Sequence, residues 1–286
     1  LSVWVGLLCL VMGVMPALIC KGIYQSYLHG QTKLSFRDLV SNMKHFFGDI
    51  KKTITNKPFL RLCGATFFVF NGFQIVAQFA FFIIIFYLYN GDQPAAGQWP
   101  AWFGTVSAMA TAFFVIPVIT YMSGRIGKRN AFIVSTLISI VGYLLKWWGF
   151  HPGNPWLMFL PIPLMSFGIG GLFTLMMSMT ADVCDYDELK NGMPRKEALF
   201  GAVYWWMVKL GTSLALFLSG VILSSVGFNQ DAQAQSASTI QALRLADIIV
   251  PSAAGILAIV VMWGYDISEK KAKEIREELV RRRGEL

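Results

Sequence analysis

The chain has 286 residues, of which 55% are hydrophobic and only 14% are charged. An average soluble domain carries about 25% charged residues, and so few charges cannot cover the surface of this much apolar mass. The composition therefore excludes an ordinary soluble domain and a disordered chain, and it indicates an integral membrane protein.

Seven apolar stretches are long enough to cross a bilayer, which requires about 20 residues in a helix. They cover residues 1–20, 59–89, 101–123, 131–149, 155–180, 199–227 and 245–266. The predicted fold class is therefore an all-α integral membrane protein with seven transmembrane helices.

The basic residues predict the orientation of these helices. Of the 24 Lys and Arg residues, 21 fall in four alternate segments, at 21–61, 125–129, 190–196 and 270–283. Because basic residues concentrate in cytoplasmic loops, residue 1 is expected outside and the C-terminus in the cytoplasm. The net charge of +8 is then a topology signal, so we expect a multi-pass protein of the cell (inner) membrane, with membrane lipid and not nucleic acid as its surroundings.

Aromatic residues agree with this orientation. Six tryptophans fall near predicted outer boundaries, and Trp263 and Tyr265 near the inner one, as in the aromatic belts of membrane proteins. The outer residues are Trp4, Trp99, Trp102, Trp147, Trp148 and Trp156. Lys146 lies a few residues from an outer boundary and is expected to extend its amine to the interface.

The chain begins at Leu1, inside an apolar run and without an initiator Met. We therefore expect an upstream part to be missing. With residue 1 outside, a cytoplasmic N-terminus requires an odd number of preceding helices, and five would give twelve in total. Four regions follow: the last helix of an N-terminal half (1–20), a cytoplasmic middle loop with an amphipathic helix (21–58), a six-helix bundle (59–266) and a solvated, charged cytoplasmic tail (267–286).

Lys209 is the most informative residue. It lies about ten residues into the span 199–227, about 15 Å deep at 1.5 Å per residue. A cation at that depth costs at least about 2.5–3.5 kcal/mol, so it must be paired, hydrated or deprotonated. A carboxylate from absent helices is the simplest partner; the alternative is an amine that extends to the inner interface.

Other polar and aromatic side chains could line the same cavity. Asn71, Gln74 and Gln78 share one helical face and suit either the hydroxyl groups of a sugar or hydrogen bonds between helices. The other candidates are Thr174, Ser178, Trp205 and Trp206. The tryptophans could stack on a sugar or simply pack. The Gly168–Gly171 region suits either an interrupted helix or close helix packing.

No catalytic grouping appears in the sequence, so we expect a protein that is not an enzyme and holds neither a cofactor nor a metal. Asp182 and Asp185 belong to an acidic cluster closely followed by Lys190, Arg195 and Lys196. We expect these charges to form a cytoplasmic ion-pair network that could close one face of a transporter.

The stretch TADVCDYDELKNGMPRKEALFGAVYWWMVKLGT, residues 180–212, resembles the glycoside–pentoside–hexuronide:cation symporters. These are the melibiose-permease-like branch of the major facilitator superfamily. The matching residues include Asp182, Asp185, Arg195, Glu197 and Lys209. The resemblance covers the whole chain as helices 6–12 of a twelve-helix fold.

This resemblance implies uptake of a glycoside or related sugar, coupled to Na⁺ or H⁺, by alternating access between two halves. It also implies that Lys209 lies close to the cation and sugar sites, and that the family's cation-binding carboxylates are on N-terminal helices. Two alternatives stay open: the same fold with a lipid or organic ion as cargo, and a non-transporting seven-span membrane protein.

Overall fold

The computed structural model describes residues 6–7, 9–15, 18, 48, 50, 53–192, 196–229, 232 and 234–284. The chain divides into two compact units, Leu1–Lys51 and Lys52–Leu286. In the first unit, the described residues are helical. The rest of the predicted span 1–20 and nearly all of the predicted amphipathic helix in 21–58 lie outside the described residues.

Six helical spans in the second unit are long and apolar enough to cross a membrane. We label them α1 to α6: Lys57–Leu88, Gln93–Ile126, Lys128–Gly149, Pro155–Asn191, Glu197–Ser225 and Ala237–Trp263. A seventh helix, α7, covers Glu269–Arg283. No strand occurs among the described residues, so the prediction of an all-α membrane fold is confirmed, with six of the seven expected spans in this part.

Span α1 is the central helix of the bundle. It packs against α6, α5 and α4, whereas α3 packs against α4 and α6 and α2 packs mainly against α4. Its N-terminus is defined locally, because the side chain of Asn56 accepts a hydrogen bond from the backbone N–H of Phe59 and Pro58 occupies the first turn. Proline suits that position since it has no N–H to satisfy.

Two of the spans that are longer than predicted, α4 and α6, carry charged residues into the bundle. Helix α4 continues to Asn191, eleven residues past the expected end, with Asp182 and Asp185 buried. Helix α6 begins at Ala237 behind the cap Ser236 and contains Arg244 and Asp247, both buried. The predicted spans end at charged residues because charge lowers hydropathy. In the folded bundle these residues lie beside groups of opposite charge.

Glycines of α4 provide close packing and not an interruption. The α-helix is continuous from Ile162 to Asn191, and a Cβ on Gly168 would lie 2.9 Å from Oγ of Ser139 on α3. On the α3 side, a Cβ on Gly142 would lie 2.5 Å from the backbone N of Met165. Of the two interpretations of the glycine region, the structure thus supports close helix packing and not an interrupted helix.

The charged tail is helical, but it is not solvated all round. Helix α7 starts behind Ser268, whose side chain accepts from the N–H of Lys271. One of its faces is buried against the bundle through Ala272, Ile275 and Leu279. The expectation of a solvated tail was wrong for this face, because its apolar residues recur at helical spacing between the charges.

Candidate functional site

The candidate site is a set of at least partly exposed polar and aromatic residues on three neighbouring helices, α1, α4 and α5, which we call the open face. It consists of Gln74, Gln78, Thr174, Ser178, Trp205 and Lys209. The three helices pack against one another, and two of their contacts involve polar or aromatic groups. Asn71 on α1 donates its Nδ2 to the carbonyl of Gly211 on α5 at 3.2 Å, and the rings of Phe173 on α4 and Trp205 on α5 stack with centroids 6.3 Å apart.

Lys209 is exposed on the open face. It lies near the middle of the 29-residue helix α5, and among the described residues its amine forms no ion pair. Trp205, one turn earlier, is 46% exposed, and its neighbour Trp206 is 62% exposed. The helix therefore presents a cation and an adjoining aromatic plane at the depth where a membrane helix is otherwise apolar.

The three amides of α1 do not share one environment. Asn71 is buried and its amide nitrogen is used between helices, which matches the interhelical interpretation of this residue. Gln74 and Gln78 are partly exposed and follow it on the same helical face. On α4, Thr174 is partly exposed and Ser178 exposed.

An apolar cavity of about 580 Å³ adjoins this surface between α1, α2 and α4. Phe173 lines it and also stacks on Trp205, so the cavity and the open face share a wall. Its few polar groups are hydroxyls, among them those of Ser107, Ser166 and Tyr143. Aromatic planes, hydroxyls and amides together suit binding of a small polyhydroxylated molecule better than chemistry on it.

An ion-pair network joins α3, α4 and the tail helix α7, away from the open face. Asp182 accepts from Nζ of Lys128 at 2.5 Å and from Arg276 of α7. Arg276 also approaches Asp185, with 3.6 Å between Nε and Oδ2. Its bond to Asp182 raises the pKa of Arg276.

Ion pairs at Asp182 and Asp185 agree with the predicted network, although Lys128 and Arg276 were not among the bases predicted for it. Lys128 and Arg276 come from elements distant in sequence, because helix packing brings the ends of α3 and α7 onto α4. Of the other gating candidates, Glu197 lies exposed in the first turn of α5, and Arg195 lies outside the described residues.

A second buried charge cluster was missed by sequence reasoning. Lys146 of α3 forms an ion pair with Asp247 of α6, and both side chains are 2% exposed. Arg244 lies beside them, between the rings of Tyr87 and Trp147 at 4.0 and 4.3 Å. The expectation that Lys146 reaches the outer interface was wrong, since a carboxylate on the neighbouring helix binds it inside the bundle.

Tyr265 was also predicted at a membrane interface, in the inner aromatic belt, but it is buried, with 2% of its surface exposed. Four tryptophans are each more than half exposed, as residues of an aromatic belt are: Trp102, Trp148, Trp156 and Trp263.

Among the described residues, no group of three or more His, Cys, Asp or Glu side chains is arranged to hold a metal ion.

Comparison with known proteins agrees with this architecture. Residues 7–269 match the family described as MFS/sugar transport protein. The chain is 29% identical over 229 residues to the glucuronide carrier protein homolog of Escherichia coli, covering 80% of this chain and 48% of that protein.

It is 25% identical over 228 residues to the isoprimeverose transporter of Lactiplantibacillus pentosus, covering 80% and 46% of the two chains. It is also 25% identical over 284 residues to an uncharacterised symporter of Bacillus subtilis, covering 94% and 56%. The chain thus spans about half the length of each of these relatives.

The fold and the matched residues define a multi-pass membrane protein of the major facilitator superfamily. Within it, the chain belongs to the sugar-transport family and to the glycoside–pentoside–hexuronide branch predicted from residues 180–212. This membership places the chain among transport proteins and not among enzymes.

Proposed function

We propose that the protein is a secondary active transporter that carries a glycoside or related sugar together with Na⁺ or H⁺ by alternating access. The names of its relatives, a glucuronide carrier homolog and an isoprimeverose transporter, support a sugar cargo. The described spans would be helices 7–12 of twelve, with residues 1–20 as helix 6 and an N-terminal half completing the cavity.

The exposed amine of Lys209 is the observation that carries this proposal. A cation in the middle of a membrane helix costs several kcal/mol unless it is paired or hydrated, and the described residues offer it no carboxylate. A carboxylate on an N-terminal helix would satisfy the amine, and a coupling cation that binds the same carboxylate would compete with it. Such competition would link cation binding to rearrangement of the site.

The rest of the open face would bind the sugar. Gln74 and Gln78 each offer a donor and an acceptor, Thr174 and Ser178 offer hydroxyls, and Trp205 with Trp206 would stack on the apolar face of the ring. The network of Lys128, Asp182 and Arg276 would stabilise one closed face. In this arrangement the C-terminus is cytoplasmic and the protein lies in the inner membrane.

The test is uptake of radiolabelled glycosides by the full-length protein in proteoliposomes, with imposed Na⁺ or H⁺ gradients. We expect a gradient to raise uptake and Lys209→Ala to lower it by at least about tenfold, since the loss of one charge-assisted interaction of about 1.4 kcal/mol already corresponds to that factor. Lys270→Ala, on the exposed side of α7, is the matched control and should transport normally.

Gradient-independent uptake, or normal uptake by Lys209→Ala, would contradict the coupling mechanism. A competition panel of sugars, lysolipids and organic ions distinguishes a sugar cargo from a lipid or organic-ion cargo. If only lysolipids or organic ions inhibit uptake, the fold assignment stands and the cargo is a lipid or an organic ion.

A further inference from the structure

A polar cavity of about 380 Å³ lies at the end of the bundle that carries the ion-pair network, away from the open face. Three lysines from three elements line it: Lys57 at the start of α1, Lys190 at the end of α4 and Lys271 in the first turn of α7. Elements distant in sequence thus converge their ammonium groups on one concave surface.

Both carboxylates of this cavity already have hydrogen-bond or ion-pair partners. Asp187 accepts from Nδ2 of Asn191 at 2.7 Å and from Nδ2 of Asn56 at 3.5 Å. Asp266 is bound by Nη1 of Arg61 at 2.7 Å. Because Arg61 neutralises Asp266, the three ammonium groups face a single uncompensated carboxylate, that of Asp187, and positive charge predominates along the cavity.

None of the three lysines forms an ion pair with any described residue. Lys190 and Lys271 instead lie over the ring of Tyr186, with Nζ 5.9 and 5.4 Å from its centroid. An aromatic ring attracts a cation without neutralising it, so these ammonium groups keep their donors for a ligand.

We propose that this cavity binds a phosphate group. Lysine is a common phosphate ligand as a compact point charge with rotatable donors, and a phosphate monoester carries about −1.5 to −2 charges near pH 7. Three ammonium groups match such a multi-oxygen anion better than a carboxylate, which has one charge and two oxygens. The phosphate could belong to a lipid headgroup, since basic pockets at the cytoplasmic ends of membrane helices bind anionic lipids, or to a soluble phosphate compound.

Binding would also connect α1, α4 and α7. One anion held by Lys57, Lys190 and Lys271 would fasten the tail helix to the bundle beside the Asp182–Arg276 pair. The site is separate from the open face, so it does not depend on the proposed cargo.

The test measures the thermal unfolding midpoint of the purified full-length protein against inorganic phosphate, with chloride at matched ionic strength as reference. We expect phosphate to raise the midpoint beyond chloride. Lys190→Gln/Lys271→Gln should raise the half-saturating phosphate concentration by at least about tenfold, because two charge-assisted hydrogen bonds are lost. Lys270→Gln/Lys273→Gln removes the same charge from the exposed side of α7 and should change it by less than about twofold.

A second arm separates the two sources of phosphate, using nanodiscs of phosphatidylcholine with or without phosphatidylglycerol. Stabilisation by phosphatidylglycerol in the wild type and in the Lys270/Lys273 variant, but not in the Lys190/Lys271 variant, assigns the site to a lipid headgroup. Stabilisation by inorganic phosphate alone, with the same dependence on the variants, assigns it to a soluble compound.

The proposal is overturned if neither phosphate nor phosphatidylglycerol stabilises the wild type beyond its reference. Equal responses of the two double variants would also overturn it, since general charge attraction would then explain the effect. Lys57→Gln changes a lysine on a different helix and should also weaken phosphate binding. This variant distinguishes loss of the site from a folding defect confined to α4 and α7.

Discussion

Lys146 and Lys209 are both lysines within predicted spans, and tertiary packing gives them different surroundings. Lys146 is 2% exposed and paired with Asp247, whereas Lys209 is exposed among the described residues. Because Lys146 and Asp247 bind each other and are both shielded from solvent, we interpret this pair as a structural element. An amine on an open face is available to a partner outside this part of the chain.

Lys146→Met is expected to destabilise the full-length protein by about 3–5 kcal/mol, since it leaves the carboxylate of Asp247 buried without its partner. The double variant Lys146→Met/Asp247→Asn removes both charges and should recover much of that loss. Urea unfolding in mild detergent measures the difference. Equal losses in the single and double variants would show that the pair contributes only through packing.

Tyr265 gives a prediction for alkaline pH. Burial, and then the nearby carboxylates of Asp182 and Glu269, raise the pKa of its phenol above 10.0. The folded state therefore favours the neutral phenol. This contribution to stability is complete below the unfolded pKa of 10.0 and is lost as the pH rises above it.

Tyr265→Phe should therefore lessen the loss of stability above pH 10 and leave stability at pH 7 unchanged or slightly higher, because Oη of Tyr265 has no hydrogen-bond partner among the described atoms. The measurement is the unfolding midpoint of both proteins from pH 7 to 11. Parallel pH profiles would contradict the prediction.

At the scale of elements, small residues decide how closely α3 and α4 pack. Gly142 meets the backbone of α4, which cannot rotate away as a side chain can. We expect Gly142→Ala to cost about 1–3 kcal/mol of stability, the usual effect of overpacking. Gly220→Ala, at a helical position with open space around it, is the control and should not destabilise in the same unfolding assay.

Helix α7 combines an apolar face with a charged one. Ile275 is 4% exposed and packs in the main core, while Arg276 beside it bonds to Asp182. The tail therefore belongs to the folded bundle, and its charged face contributes both to the ion-pair network and, through Lys271, to the proposed phosphate site.

At the scale of the whole molecule, the alternation of basic and non-basic connections predicts the orientation. Asn154 lies in a connection without Lys or Arg, and Lys273 lies in the basic tail. In right-side-out vesicles, with other reactive cysteines replaced, Asn154→Cys should react with an impermeant maleimide. Lys273→Cys should react only after permeabilisation, and the reverse pattern would invert the proposed topology.

The sequence by itself determined the class of protein, the six described spans and the branch of the family, because hydropathy over about 20 residues and the 180–212 motif are local properties of the chain. It also located Lys209 in mid-span. These features depend on residue type and spacing, which need no knowledge of neighbours.

Only the tertiary structure decided which charges are paired. Lys146 with Asp247, and Asp182 with Lys128 and Arg276, are contacts between residues 54 to 101 positions apart in sequence. Whether a charged residue ends a span, extends to the interface or is buried depends on whether another helix brings an opposite charge to it. That is a property of packing. It explains why the structure differs from prediction at the end of α4, the start of α6, the position of Lys146 and the buried face of the tail.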